Sequence, residues 1–214
     1  MMQNGPDEAM PYLIKSIEKD QERHEAVIEC LGTHTITILE CDRMGLEEGM
    51  VLSEEQFDTL IHAEQWLSCI QKALSYLDYG DCSKRRMVEK LRKTHELSIC
   101  REVTDYLEEK GYINDLALAE RYAENYYSVR GYGPMRIKQE LYGKGFPKPV
   151  IEQVMDEYAN LDYSETVREL LLKKYGEEQL KDPAVRRKAS GWMSRQGYSW
   201  SMISDVLQSF SYFD

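Results

Sequence analysis

A tandem repeat of about fifty residues constrains the fold of this chain more than any other feature of its sequence. Its apolar positions recur in three stretches, which are Met87, Leu91, Ile99, Val103 and Leu107, then Ile137, Leu141, Val150, Val154 and Tyr158, then Ala189, Met193, Met202, Val206 and Phe210. Units of this size are too small to bury an apolar face alone, so they stack on their neighbours. The sequence therefore predicts a mainly α protein, with tandem three-helix repeats in an elongated array. Such an array favours binding of an extended partner over catalysis in one pocket.

Helix-start signals divide each repeat into three helices. Gly133 and Asp182 each precede a proline, which is tolerated at the first position of a helix, and Ser98 and Ser199 suit the starts of third helices. The predicted helices cover 67–79, 83–94 and 98–110 in the first repeat, 115–130, 134–144 and 148–159 in the second, and 164–175, 183–196 and 200–211 in the third.

A glycine followed by an aromatic residue ends the second helix in two of the repeats. These steps are Gly145-Phe146 and Gly197-Tyr198. Glycine adopts the left-handed conformation at a helix C-terminus, and the next side chain can then fold back to pack. His95-Glu96 occupies this step in the first repeat, so we expect a different turn there.

The N-terminal residues have a β pattern instead. Short stretches rich in Ile, Val and Thr occur at 12–18, 26–31 and 34–39, and Gly32-Thr33 suits a hairpin turn between the last two. Ser53-Glu54-Glu55-Gln56 is a capping-box signature that starts a helix. We expect a small antiparallel β-containing region that ends in this helix. The predicted domains are 1–65 for this region and 66–112, 113–160 and 161–214 for the three repeats.

Charge is distributed unevenly along the chain. Residues 1–65 contain four Lys or Arg against fifteen Asp or Glu, whereas the remaining residues contain 23 of each sign. The net charge of −11 is therefore entirely N-terminal, and the repeats can carry basic surfaces. The chain contains no apolar run of about eighteen residues and no signal-peptide pattern, so we expect neither a membrane span nor export. The five cysteines include no CxxC pair, which is typical of reduced thiols in a cytoplasm.

Basic residues occur at the same register position in each repeat. Arg86, Arg136 and Lys188 each precede the first core position of a second helix. A basic position once per repeat could follow a polyanion or an acidic protein groove. The same pattern also arises because an amphipathic helix needs a solvated charged face.

A second cluster interleaves aromatic and basic residues. It comprises Tyr126, Tyr127, Arg130 and Tyr132, close to Arg136. Such residues can stack on bases or anchor an interface. Tyr122 and Tyr126 are also four residues apart on one helical face, which is consistent with packing alone.

Catalytic patterns are poor throughout the sequence. Gly131-Tyr132-Gly133 and Gly143-Lys144-Gly145 do not follow strands, and no Gly-Lys-Ser/Thr motif occurs. The four histidines lack metal-ligand spacing. We therefore predict a protein that is not an enzyme and that has no cofactor or metal.

Several segments resemble the RecX family of regulatory proteins. Those similar to its central repeat are 110–115 (KGYIND), 119–122 (AERY), 133–141 (GPMRIKQEL) and 144–146 (KGF). Residues 73–77 (ALSYL) look like the opening of its first repeat, and the strands followed by 45–49 (GLEEG) look like its N-terminal region. The resemblance covers nearly the whole chain and is most specific over 73–155.

The resemblance implies a bacterial, cytoplasmic regulator of the RecA recombinase that acts in DNA repair, recombination and the SOS response. Members of this family lie along the groove of the RecA–DNA filament and restrain strand exchange and ATP hydrolysis. We expect a monomer that contacts DNA weakly or through the filament, and no membrane partner. The residues that we expect to face the filament are Arg86, Arg130, Arg136, Lys138, Lys144, Arg187 and Lys188. Two alternatives stay open, an independent nucleic-acid-binding protein and a helical-repeat adaptor for other proteins.

Overall fold

The computed structural model describes residues 12–22, 25–30, 34–39 and 45–210. The described residues form two compact units, one within 12–80 and 87–107 and the other within 81–86 and 108–210. The predicted Gly32-Thr33 turn lies outside the described residues.

The first unit begins with an antiparallel sheet. Its described strands are β1 (Ile14–Asp20), β2 (Glu25–Cys30) and β3 (His34–Leu39), in the order β1-β2-β3. In the register, Ile28 of β2 lies opposite Ile17 of β1 and Ile36 of β3. Side chains alternate between the two faces of a strand. The buried side chains Ile14, Ile28, Ile36 and Ile38 pack with Phe57 and Leu60 of the following helix. The predicted strands are confirmed to within two residues.

That helix, α1, covers Glu54–Asp78. The predicted capping box is present, because Ser53 Oγ accepts from the backbone N of Gln56 at 3.2 Å and Gln56 Oε1 accepts from Ser53 N at 2.9 Å. The helix continues without a break into the first repeat, which the sequence left open. The remaining helices of that repeat are α2 (Lys84–Leu91) and α3 (Leu97–Glu109).

The prediction that Ser98 caps a helix was wrong. Ser98 lies inside α3, which begins one residue earlier. The turn before α3 does differ from those of the other repeats, as predicted. Because the backbone N–H groups of Thr94 and His95 both donate to Leu91 O at 3.0 Å, α2 closes in a turn without a left-handed glycine.

The second unit contains the other two repeats. Its helices are α4 (Asp115–Glu124), which continues into a π-helical turn (Asn125–Val129), α5 (Pro134–Lys144), α6 (Lys148–Ala159), α7 (Ser164–Tyr175), α8 (Glu177–Leu180), α9 (Pro183–Gln196) and α10 (Trp200–Ser209). Gly133, Asp182 and Ser199 occupy the predicted cap positions. The π-helical turn and the short α8 were not predicted.

The periodic apolar positions form the helical cores. All of them are buried except Val150 and Met202, which are half-buried. The second repeat has its own cluster around Ile137 and Leu141, and the third has one around Ala189 and Met193. The predicted fold class, tandem three-helix repeats after a small antiparallel sheet, is confirmed. Among the described residues, no helix is long and apolar enough to cross a membrane.

Candidate functional site

Arg136 lies at the junction between the second and third repeats. Its Nη1 donates to Arg195 O and to Gln196 Oε1, each at 3.2 Å, at the C-terminal end of α9. The guanidinium carbon lies 3.9 Å from the ring centroid of Tyr132, and Nε lies 3.5 Å from Glu140 Oε1. A cation that binds the last carbonyls of a helix also interacts favourably with the helix dipole. The Arg136 side chain therefore joins α5 to the end of α9.

Arg86 makes the matching contact one repeat earlier. Its Nη2 donates to Gly143 O at 2.8 Å, near the C-terminal end of α5. Gly143 and Arg195 are equivalent, because each lies two residues before a left-handed glycine, Gly145 or Gly197. The basic position that recurs in register thus makes the same intramolecular bond at two successive junctions.

The backbone at these junctions repeats as well. Ser83 Oγ donates to Lys144 O at 2.8 Å, and the N–H of Gly133, the residue equivalent to Ser83, donates to Gln196 O at 2.8 Å. In both cases the residue just before the second helix of one repeat binds the last carbonyl group of the second helix in the following repeat. We call these two sets of contacts the repeat junctions.

The repeat junctions explain why a glycine follows α5 and α9. Gly145 and Gly197 have φ values of +90° and +95°, which L side chains rarely adopt. A Cβ on Gly197 would also overlap the backbone N and the Cβ of Arg136, and a Cβ on Gly133 would lie 2.5 Å from the carbonyl carbon of Gly197. Close approach of two backbones therefore requires glycine here.

His95 occupies the equivalent position in the first repeat, which the sheet region precedes. Its Nε2 lies 3.1 Å from Ser68 Oγ, and its Nδ1 lies 2.9 Å from Thr94 Oγ1. The first repeat therefore has a side chain with hydrogen-bonding partners in its own unit where the other two repeats have a glycine.

Two further predicted cations lie against tyrosine rings. Tyr126 stacks between Tyr122 and Tyr132, with ring centroids 6.0 and 5.7 Å away. Lys144 Nζ is 4.5 Å from the Tyr122 centroid, and the guanidinium carbon of Arg130 is 5.7 Å from that of Tyr126. Cations favour the faces of aromatic rings. Burial raises the pKa of Tyr126, which keeps its hydroxyl neutral inside this stack.

The remaining three predicted residues have no such contacts. Lys138 on α5 and Arg187 and Lys188 on α9 are exposed, and within the described part of the chain they make no ion pair or hydrogen bond. The seven predicted cations therefore divide into four that contact other residues of this chain and three that make no ion pair or hydrogen bond with the described residues. Sequence register alone did not separate the two groups.

Asp115 is the carboxylate most removed from water among the described residues. It is 8% exposed, and its Oδ1 accepts from the backbone N of Lys84 at 2.8 Å, at the start of α2. Burial raises its pKa, and the bond from Lys84 opposes that rise. Since this carboxylate binds the start of a helix, its role is structural. Within the described residues, no group of three His, Cys, Asp or Glu side chains is placed to bind a metal.

The fold and these contacts define a tandem helical-repeat protein, and comparisons with known proteins identify the family. The family model for the second three-helix domain of RecX matches residues 114–155. The family model for the third three-helix domain matches residues 162–207. The chain is 31% identical to regulatory protein RecX of Stenotrophomonas maltophilia (strain R551-3) over 138 residues, which cover 63% of this chain and 82% of that protein. It is 28% identical to regulatory protein RecX of Clostridioides difficile (strain 630) over 170 residues, 79% of this chain and 80% of that protein.

Two crystal structures share the fold. One, of a regulatory protein RecX, has a TM-score of 0.74 at 21% identity and covers 91% of this chain and 98% of its own. The other, RecX from Lactobacillus salivarius, has a TM-score of 0.63 at 22% identity and covers 71% of this chain and 99% of its own. The chain belongs to the RecX family of regulatory proteins.

Proposed function

We propose that this protein binds the RecA–DNA filament and restrains RecA strand exchange and ATP hydrolysis, as a regulator of DNA repair and recombination that is not itself an enzyme. We further propose that it acts in the cytoplasm as a monomer, with domains at 1–65, 66–112, 113–160 and 161–214. Membership of a family of regulatory proteins supports this role.

The observation that carries the proposal is the pair of matching repeat junctions. Because Arg86 and Arg136 make the same contact with the end of the following second helix, the start of α2 meets the end of α5 as the start of α5 meets the end of α9. A partner with regularly repeated subunits can then meet successive repeats at once. Several weak contacts on one chain act cooperatively, since each raises the effective concentration of the next.

The surface that we propose to meet the filament contains the three predicted cations that make no ion pair or hydrogen bond with the described residues. Lys138 lies on the second helix of one repeat, and Arg187 and Lys188 lie on the second helix of the next. Arg86, Arg130, Arg136 and Lys144 would support this surface mainly by positioning the repeats and the tyrosine stack. Direct DNA affinity should be weak, because the repeats carry equal numbers of acidic and basic residues and the N-terminal region is acidic, so few phosphates can be neutralised.

An assay of RecA activity tests the proposal. The protein should lower DNA-dependent ATP hydrolysis and strand exchange by RecA, and it should hydrolyse no nucleotide alone. A variant with Lys138→Ala, Arg187→Ala and Lys188→Ala should lose most of this effect while its thermal melt stays unchanged. An intrinsic ATPase activity, or no effect on RecA at saturating protein, would contradict the proposal.

A further inference from the structure

A groove between α9 and α10 brings basic, aromatic and aliphatic side chains together. Its volume is about 380 Å³, and its lining includes Arg186, Arg187, Ser190, Trp200, Ser204 and Leu207. Among the described residues, no carboxylate side chain lines it. Trp200 is 67% exposed, although tryptophan gains more than most side chains from burial. The groove therefore combines an apolar floor with two guanidinium groups.

The fold does not require an aromatic residue at this position. Trp200 is the first residue of α10, where Ser199 caps the helix by accepting from Met202 N. The equivalent first residue of α6 in the second repeat is Lys148, and its Nζ lies 3.5 Å from Glu152 Oε1. Glu152 is itself equivalent to Ser204. Where the second repeat has the Lys148–Glu152 ion pair, the third has an exposed tryptophan and a serine.

We propose that this groove binds an acidic peptide segment of a partner protein that carries a bulky apolar side chain. The apolar side chain packs on Trp200 and Leu207, and a carboxylate of the segment binds Arg187, which is exposed and makes no ion pair or hydrogen bond with other described residues. Tryptophan and arginine are the residues most enriched at the energetic centres of protein interfaces. The planar guanidinium also matches a carboxylate in two parallel hydrogen bonds.

Charge and shape favour a peptide over single-stranded nucleic acid. Grooves for single-stranded nucleic acid pair a line of cations with aromatic rings that stack successive bases. Among the described residues, this groove offers a single ring, Trp200, and the rest of its lining is basic, hydroxyl, amide and aliphatic. The groove shares Arg187 with the surface that we propose to meet the filament, but peptide binding is measured without RecA and so is tested separately.

Fluorescence anisotropy with labelled synthetic peptides tests the inference on the full chain. The probes are an Asp- and Glu-rich peptide with a central Phe, the same peptide with Ala for Phe, the same peptide with Asn and Gln for its acids, and oligo(dT) of equal length. The first peptide should bind tightest. Its affinity should fall about tenfold or more in Trp200→Ala and in Arg187→Gln, as truncation at an interface centre usually causes.

Lys148→Ala is the matched control, because it removes the first residue of the equivalent helix in the second repeat, and it should leave peptide affinity unchanged. Thermal melts of all variants exclude unfolding as the cause of a loss. The inference is overturned if no acidic peptide binds, if the Ala-containing peptide binds as well as the Phe peptide, or if oligo(dT) binds tighter in a manner that depends on Trp200.

Discussion

Single residues in this chain show how far a repeated sequence pattern can be interpreted. The register of Arg86, Arg136 and Lys188 predicts a function that is repeated once per module. In the structure, Arg86 and Arg136 contact backbone carbonyls of the next repeat, whereas Lys188 makes no ion pair or hydrogen bond with other described residues. A basic residue that recurs once per repeat can mark either a binding surface or a junction between repeats, because both recur with the same period. The glycines that border the junctions were the signal in the sequence that could have revealed this.

Arg136→Ala tests the role of the junction contact. A residue on a solvated face would change the free energy of unfolding by no more than about 0.5 kcal/mol. The structure predicts a loss of about 1–2 kcal/mol, because hydrogen bonds from a charged group to helix-end carbonyls disappear from a side chain that is only partly exposed. Urea denaturation measures the change. Lys138→Ala on the same helix is the control and should stay within about 0.5 kcal/mol. If both variants lost the same negligible unfolding free energy, the result would contradict a stabilising role for Arg136 at the junction.

Gly197→Ala tests the close approach of the two backbones. The new Cβ would overlap Arg136, and the alanine would have to adopt the left-handed conformation that residues other than glycine rarely adopt. We expect a loss of at least about 2 kcal/mol, since the strain and the overlap add. Gly143→Ala is the matched control, because a Cβ there meets nothing within 4 Å. Inside a helix that change should be neutral or stabilise by up to about 1 kcal/mol. Similar melting temperatures for the two variants would contradict the junction geometry.

Elements were predicted well wherever local chemistry decides them. The strands, the capping box at Ser53 and the helix starts after Gly133 and Asp182 follow from neighbouring residues. The π-helical turn at Asn125–Val129 does not. The sequence predicted an α-helix here. A π-helical turn inside an α-helix has almost the same sequence pattern, because it differs only in hydrogen bonds that span one residue more.

Packing around the π-helical turn involves a tyrosine cluster between the second and third repeats. Tyr127, in the π-helical turn, contacts the rings of Tyr158 and Tyr163, and Tyr163 contacts Tyr198, with centroids 5.7 to 6.0 Å apart. The hydroxyl of Tyr163 donates to Tyr158 O at 2.7 Å, and that of Tyr198 donates to Gly131 O at 3.0 Å. The contacts that join Tyr127, Tyr163 and Tyr198 link residues far apart in the chain, so they leave no local signal in the sequence.

The tyrosine cluster predicts a loss of stability in alkali. Burial raises the pKa of Tyr163 from 10.0 to about 12, and burial also raises the pKa of Tyr158 and Tyr198. The folded state therefore holds these protons more tightly than the unfolded state does. The resulting stability is complete below pH 10 and is lost as the pH rises from there through about 12.

Urea denaturation across this range, together with absorbance of tyrosinate, measures the effect. Stability should fall steeply above about pH 10, and buried tyrosines should ionise together with unfolding. Tyr163→Phe should weaken the pH dependence, whereas Tyr112→Phe, at a side chain that is 60% exposed, should not. A free energy of unfolding that stays constant through this range would contradict the burial of the cluster.

At the scale of the whole molecule, the sequence predicted the fold class and the family. The structure adds which basic residues make contacts within the chain and which do not. Periodic apolar positions specify which helical faces are buried, because burial of apolar area dominates folding. They do not specify which charged residues face a partner, because solvated, junction and binding positions can all carry Lys or Arg. The chemistry of the partner can be inferred only from exposed residues that have no structural role in the fold.

Co-sedimentation with preformed RecA filaments, compared with binding to bare single-stranded DNA, tests the central claim. The measurement belongs at about 0.15 M salt, where surface charges farther apart than about 8 Å are screened. The protein should pellet with RecA-coated DNA at concentrations where bare DNA captures little of it. The triple Lys138→Ala, Arg187→Ala and Lys188→Ala variant should lose the filament interaction. Equal or tighter binding to bare DNA would contradict filament recognition and support an independent nucleic-acid-binding protein.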